Sequence, residues 1–185
     1  MNRVILTPAV LPSSTLAELK QWLGVTTLHD DASLSALLAC ALETCEAFTG
    51  RMPLAASCEE ILPSQAGWHA LSTRPVQAIT LVEGISPDGT RFALSTGTYE
   101  VDLDADGTGR VRFHSGTAHK VAVRFTAGLA DDWHSLPDGL RHGVIRLAAH
   151  HHRQRDGDGA RDGTSPLPPA SVAALWRPWR RMRLT

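Results

Sequence analysis

The residue pattern closest to a known ligand site is an acidic run near the middle of the chain. Asp102, Asp104 and Asp106, followed by Gly107, spell D-x-D-x-D-G, the opening of an EF-hand calcium loop. The twelfth position of such a loop would be Phe113, where calcium needs a bidentate glutamate. The flanking residues have the composition of strands rather than helices. We therefore predict a hairpin turn with solvated aspartates, with adventitious cation binding as the alternative.

Histidines form a second candidate site. His150, His151 and His152 are consecutive, and His142 precedes them on the same predicted helix. Consecutive helical residues point about 100° apart, so these three cannot converge on one ion. No H-x-x-x-H pair, nucleophile elbow, P-loop or dinucleotide fingerprint is present. We predict no catalytic residue, metal site or cofactor, and keep a small cytoplasmic metal-dependent enzyme as an alternative function.

The C-terminal residues combine arginine with large apolar side chains. The segment contains Trp176, Arg177, Trp179, Arg180, Arg181, Met182, Arg183 and Leu184. Tryptophan, arginine and methionine are enriched in protein interfaces, so we predict that these eight residues contact a protein partner. Pro178 should end the preceding helix and leave Trp179 and the later residues exposed.

Two other interpretations of this segment stay open. Trp176 continues the apolar stripe of Val172 and Leu175, so it could equally cap the core. The arginines and tryptophans could also contact phosphates and bases, which would make the chain a nucleic-acid-binding module.

Overall composition narrows the possible classes of function. The 185 residues carry 18 lysines and arginines against 19 aspartates and glutamates, a formal net charge of -1, which excludes a uniformly basic nucleic-acid binder. Hydrophobic residues make up 43% of the chain, as in globular proteins. Cys40, Cys45 and Cys58 show no C-x-x-C spacing and favour a reducing compartment. No segment predicts a signal peptide or a membrane span.

Helical periodicity dominates the first 50 residues. Thr15 and Glu18 form a capping-box pattern before a short helix, residues 15–23. A longer helix should begin at Asp30 or Asp31 and end at Gly50, with Leu38 and Leu42 on its buried stripe.

The pattern then changes to strands and back. Short β-rich segments separated by turn signals cover 57–62, 76–83, 91–94, 98–103, 109–114 and 119–126. Helix returns after Ser135, a glycine-rich loop covers 156–165, and a last short helix follows Pro169.

These elements predict one α+β domain spanning 1–185. Its small helical bundle comes from 15–50 and 136–177, and an antiparallel β-hairpin sheet is inserted at about 57–126. Residues 1–12 should form an extended N-terminal arm, because two prolines exclude a helix there, and 178–185 a C-terminal arm.

Several segments, in this order, resemble the head–tail connector, or adaptor, proteins of tailed bacteriophages and phage-derived gene transfer agents. They are C-E-A-F-T-G-R (45–51), L-S-T-R-P-V-Q-A-I-T-L-V (71–82), Y-E-V-D (99–102), R-V-R-F (110–113), V-R-F-T-A-G-L (123–129), L-P-D-G-L-R-H-G-V-I-R-L-A-A-H (136–150) and P-P-A-S-V-A-A-L-W-R-P-W-R (168–180). The resemblance covers about 15 to 183 and lies in the series rather than in any one segment.

The resemblance implies a structural protein without a catalytic site. Members of this family form a ring, commonly of twelve copies, below the portal protein. The ring extends the channel for double-stranded DNA, which passes without sequence-specific binding, and docks a stopper or other tail-completion protein. The expected location is the head–tail junction of a virion or phage-like particle, after assembly in the bacterial cytoplasm. The portal or a neighbouring subunit is then the expected partner of the C-terminal segment.

Overall fold

The computed structural model describes residues 3–114, 118–156 and 167–180, and the chain forms two compact units. A helical unit comprises Val10–Pro53 and the described residues from Ala130 onward. A β unit comprises 3–9 and the described part of Leu54–Leu129. Helices in one unit and antiparallel sheets in the other confirm the α+β prediction. The prediction of a single domain stays a prediction.

The helical unit is built from two long and two short helices within the described residues. These are α1 (Ser13–Leu23), α2 (Asp31–Thr49), α3 (Asp138–Asp156) and α4 (Ala170–Trp176), and one turn of 3-10 helix, Arg177–Trp179, follows α4. Helix α3 packs against the other three helices. Gly24 and Gly50 end α1 and α2 in the left-handed conformation, with φ of 73° and 69°.

The predicted capping box at the start of α1 is not formed. The helix begins two residues earlier than predicted, with Pro12 as its N-cap and no side-chain cap hydrogen bond. Thr15 therefore lies inside the first turn, where it is fully buried. The Glu18 carboxylate instead accepts a hydrogen bond from Trp133 Nε1 at 2.8 Å.

The buried face of α2 differs slightly from the predicted one. It is formed by Leu34, Leu38, Ala41, Cys45 and Thr49. Leu38 is buried as predicted, but Leu42 lies at the boundary of this face and is only half-buried. Burial raises the pKa of the Cys45 thiol to about 12, so this cysteine is a packing residue.

Helix α2 is also long and apolar enough to cross a membrane, by length and composition alone. The sequence had predicted no such segment. The core helix of a soluble protein passes the same test, and Leu34, Leu38 and Ala41 are all buried inside this chain. The hydropathy of α2 is therefore weak evidence for a membrane span.

The β unit contains two antiparallel sheets. Its strands are β1 (Arg3–Thr7), β2 (Ala56–Pro63), β3 (Gly67–Ala70), β4 (Val76–Ile85), β5 (Arg91–Ala93), β6 (Tyr99–Leu103), β7 (Gly109–Phe113) and β8 (Lys120–Ala127). The strand orders are β1-β2-β8-β4-β5 and β3-β7-β6. Six strands match predicted segments. Strand β3 was not predicted, and the predicted extended N-terminal arm supplies β1, which pairs with β2.

One face of the five-stranded sheet forms the core of the β unit and is apolar apart from the buried Glu60. Cys58, Val82, Val121, Val123 and Phe125 are almost completely buried there. Alternation along the strands places Glu59 and Arg124 on the opposite face, where they are direct cross-strand partners.

Two segments that carry the family resemblance meet in the β unit. The Gly128 N–H donates a hydrogen bond to the Pro75 carbonyl at 2.9 Å, and Gln77 Nε2 donates one to the Gly128 carbonyl at 3.1 Å. Gly128 has φ of 155°, and a Cβ there would lie 2.3 Å from the backbone nitrogen of Ala55. Only glycine fits this junction, so the R-P-V and T-A-G-L segments have a structural role.

Candidate protein-interaction site

The acidic run forms part of a hairpin, as predicted. Strands β6 and β7 flank it, so the two helices of an EF-hand are absent from these described residues. Arg110 lies 3.4 Å from an Asp102 oxygen and also pairs with Asp104, while Arg74 lies 3.5 Å from Asp106. Each aspartate therefore has an arginine partner.

The histidines do not converge. His142 is exposed and lies edge-on to Trp22, with ring centroids 5.1 Å apart. The His150 and His151 centroids are 6.0 Å apart at an angle of 53°. Among residues 3–114, 118–156 and 167–180, no group of three or more histidine, cysteine, aspartate or glutamate side chains could hold a metal ion.

Two adjacent buried carboxylates in β2 are occupied by donors of the β unit itself. Glu59 accepts hydrogen bonds from both terminal nitrogens of Arg91 at 2.7 Å and from Arg124 Nε at 2.9 Å. The Arg91 hydrogen bond is the main reason that the pKa of Glu59 is lowered from 4.5 to about 2. Glu60 accepts four hydrogen bonds from the backbone and hydroxyl groups of Ser72 and Thr73. Glu59 thus links β2 to β5 and β8, and Glu60 links β2 to the segment between β3 and β4.

Trp176, the first residue of the predicted interaction segment, is a core residue. Its side chain is fully buried, and its Nε1 donates a hydrogen bond to the Leu140 carbonyl at 3.3 Å. Its ring centroid lies 6.0 Å from that of Phe48 at the end of α2. A Cβ on Gly143 would lie 2.1 Å from Trp176 Nε1, so the indole occupies the space that a side chain on α3 would fill.

Trp179 packs on the same helix. It is half-buried, and a Cβ on Gly139 would lie 3.7 Å from its Nε1. The expectation that Pro178 leaves Trp179 exposed is therefore only partly correct. The α-helix does end before Pro178, but the 3-10 turn that follows brings Trp179 back onto the first turn of α3.

Arg180 and Arg177 are the exposed members of the segment within the described residues. The Arg180 guanidinium carbon lies 5.3 Å from the centroid of the Phe48 ring, a cation–π distance. Arg181, Met182, Arg183 and Leu184 lie outside the described residues, as does the predicted loop 156–165 apart from Asp156. The described part of the segment is thus anchored on the helical unit up to Arg180.

The residues that receive this segment are Phe48, Gly139, Leu140 and Gly143. The two glycines among them were not singled out in the sequence. Two glycines four residues apart on α3 were the available signal, because glycine in a helix costs about 1 kcal/mol relative to alanine and implies a packing reason.

An open pocket of about 460 Å³ lies elsewhere on the helical unit. Its lining contains Glu18, Gln21, Trp22 and Arg153. The carboxylate of Glu18 is already engaged by Trp133 and lies 3.8 Å from Arg141. Nothing in this lining suggests a catalytic arrangement.

Comparison with known proteins identifies the architecture. No protein-family model matches the chain, and no curated protein does. Three of the solved structures that match are from gene transfer agent (GTA) particles, each at 22% identity. A chain in the neck of an empty particle, computed with C6 symmetry, aligns with a TM-score of 0.76 over 98% of this chain and 97% of its own length.

The other two alignments are equally extensive. A chain in the virion of a native GTA particle aligns with a TM-score of 0.75 over 100% of this chain and 98% of that one. A chain in the neck of a native particle, computed with C12 symmetry, aligns with a TM-score of 0.72 over 98% of this chain and 97% of that one. The chain therefore has, over nearly its whole length, the fold of chains found in the neck and virion of gene transfer agent particles.

Proposed function

We propose that this chain is a structural subunit of the neck of a tailed phage or gene transfer agent particle. The supporting observation is the extent of the structural match, which includes both units and leaves at most 3% of either chain unaligned in the three comparisons. A match confined to one unit would support only a shared module. Because the whole chain matches, we propose that this chain also has the structural role of a neck subunit.

In this proposal, twelve copies form a ring below the portal at the head–tail junction. The ring extends the DNA channel and docks a stopper or other tail-completion protein, and the subunit reaches it from the bacterial cytoplasm. The near-neutral charge suits a channel wall along which double-stranded DNA must slide. The saturated carboxylates Glu59 and Glu60 fit a structural role without catalysis.

The C-terminal segment is the proposed contact with the portal or with an adjacent subunit. Trp176 and Trp179 anchor it, and Arg177 and Arg180 are exposed at its base. Arginine can form forked contacts with carboxylates of a partner and so determine the register of the contact. Because Trp176 is buried, we propose a positioning role for it, and direct contact for Arg177, Trp179 and the residues from Arg180 to Leu184.

Contact of the same arginines with DNA is the competing proposal. It is less favourable mechanically, because four arginines from every subunit of a ring would hold DNA that has to move. A protein partner explains the interleaved Met182 and Leu184 as well, since apolar side chains contribute little to phosphate contacts.

Deletion of the gene tests the proposed neck role. Particles from a producing strain that lacks this chain should be DNA-filled heads without tails, and expression of the chain in trans should restore tailed particles. Tailed particles of normal yield from the deletion strain would rule out a neck function.

Truncation after Arg180 tests the C-terminal contact. The anchors remain in this variant, so its circular dichroism spectrum and Tm should match those of the full chain. It should nevertheless fail to join portal-bearing heads, whereas a control lacking only Thr185 should join them. If the truncated protein joins heads as efficiently as the control, the last residues are not the contact.

A further inference from the structure

Strands β1 and β6 are the two longest of the four end strands of the two sheets within the described residues. Each has five residues, against four in β3 and three in β5, the other two edge strands. Both edges expose aliphatic side chains. Val4, Ile5 and Leu6 of β1 are 57%, 42% and 45% exposed, and Val101 and Leu103 of β6 are 50% and 45% exposed.

The backbone of β6 is also available for pairing. At the two ends of the β6–β7 ladder, the Asp104 N–H donates to the Thr108 carbonyl and the His114 N–H to the Thr98 carbonyl. Antiparallel pairs alternate between bonded and non-bonded, so the N–H and C=O groups of Tyr99, Val101 and Leu103 point away from β7. Such an edge is a template for adding another strand.

Natural sheet edges are usually protected from strand addition. Lysine, proline or an inward-pointing charge on the edge strand is the common device. Strand β1 has one charged residue, Arg3 at its start, and an irregularity of register between Ile5 and Thr7. The three residues that follow Arg3 are all aliphatic. This exposure is expected when another strand covers the edge in the assembled state.

We propose that β1 of one copy pairs with β6 of the next copy and that this strand pairing joins neighbouring subunits of the ring. The proposal rests on the neck function proposed above. A closed cyclic ring needs a heterologous contact, in which two different surfaces of the same chain meet. Edges β1 and β6 are two such surfaces.

The charges and the positions of the two strands are compatible with this pairing. The acidic residues of β6, Glu100 and Asp102, pair with Arg112 and Arg110 of β7, so their charges are compensated within the hairpin and do not oppose a second strand. Strand β6 packs against β4, and β4 is separated from β1 by β2 and β8, a distance of about 14 Å at the usual strand spacing. The two edges are therefore separate surfaces of the β unit, as a head-to-tail contact requires.

Cysteine crosslinking in assembled particles tests the pairing. The variant carries Val4→Cys and Val101→Cys in a Cys40→Ser background, because Cys40 is the exposed native cysteine and Cys45 and Cys58 are buried. A bismaleimide is preferable to oxidation, since a disulfide would demand one particular register. Purified particles are treated with it and the chain is detected by immunoblot after denaturing electrophoresis.

The expected result is a ladder that extends beyond the dimer in steps of the 19.9 kDa chain. Each single-cysteine variant should stay monomeric. Dimers from Val4→Cys alone would indicate a two-fold β1–β1 contact and overturn the proposal. A double variant that is present in particles but gives no ladder would overturn it too, while leaving the neck function intact. Absence of the wild-type chain from purified tailed particles would overturn both.

A proline substitution gives an independent readout. Val101→Pro removes an N–H that points away from β7, so the hairpin should keep its own ladder while the edge loses a donor. We expect loss of incorporation into particles relative to the control Val101→Thr. If Val101→Pro does not fold by circular dichroism, Val101→Lys replaces it. Normal incorporation of a folded edge variant would contradict the pairing.

Discussion

At the level of single residues, Gly143 determines where the C-terminal segment can lie. Trp176 Nε1 lies 2.1 Å from the position that a Cβ on Gly143 would take, and its hydrogen bond to the Leu140 carbonyl fixes the indole there. The described residues after Trp176 depend on this contact, because Trp179 and Arg180 follow within one turn. A glycine on α3 is in this way part of the proposed interaction site.

Gly143→Ala should destabilise the protein by about 1–3 kcal/mol, because the new methyl group would overlap the buried indole. Gly139→Ala is the matched control. Its Cβ would lie 3.5 Å from the Leu175 carbonyl and 3.7 Å from Trp179 Nε1, which are ordinary contacts, so stability should be unchanged or slightly higher. Urea unfolding of both variants measures the difference. Equal effects at the two positions would show that Trp176 does not fill this space.

Glu59 should make the stability of the protein depend on pH in the acid range. Its pKa is lowered from 4.5 to about 2 in the folded state, so the ionised form favours folding. The contribution is present above about pH 4.5 and is lost as the pH falls toward 2. At 1.36 kcal/mol per pH unit it amounts to about 3 kcal/mol.

Comparison with Glu59→Gln isolates this contribution. The difference in unfolding free energy between wild type and Glu59→Gln should shrink as the pH falls from 5 to 2. Glu83→Gln is the control, since Glu83 lies farther from Arg91 and Arg124, at 3.4 and 3.7 Å. A difference between wild type and Glu59→Gln that stays constant over this range would contradict the lowered pKa.

At the level of elements, α2 provides a graded test of its buried face. Leu38→Ala should destabilise the protein by about 2–5 kcal/mol, because Leu38 is 1% exposed and its removal leaves a cavity. Leu42→Ala should cost less, because Leu42 is half-buried. Thermal unfolding of the two variants shows which substitution lowers the Tm more. A larger Tm decrease for Leu42→Ala would mean that the buried face is the one predicted from sequence.

Most elements could be predicted because their signals are local. The apolar stripe of α2, the left-handed glycines Gly24 and Gly50, and the turns between the strands each follow from residues close in sequence. Strand β1 could be recognised only as extended, because its partners in β2 lie fifty or more residues away. Strand β3 has four residues, too few for alternation to stand out.

The interaction site was harder to predict for the same reason. Proline correctly indicated the end of α4, and the stripe of Val172 and Leu175 allowed Trp176 to be a core residue. The half-burial of Trp179 depends on Gly139, about forty residues earlier, and on the path of a 3-10 turn. No local pattern encodes such a contact.

At the level of the whole molecule, the proposed assembly contacts use different parts of the chain. The β unit offers the two open edges, and the helical unit carries the C-terminal segment. If the ring forms through the β edges and the segment contacts the portal, truncation after Arg180 should leave subunit pairing possible while blocking attachment to heads. The crosslinking experiment tests the contact between subunits, and the truncation experiment tests the contact with the portal. Either proposal can therefore be contradicted while the other holds.

The most direct test of the proposed function is a cryo-EM reconstruction of the neck in particles whose only copy of this chain carries a C-terminal epitope tag, with Fab bound to the tag. The prediction is a ring of twelve copies below the portal, into which both units of the structure fit, with Fab density at that level. A neck without Fab density in particles that package DNA and carry tails would contradict the proposed function.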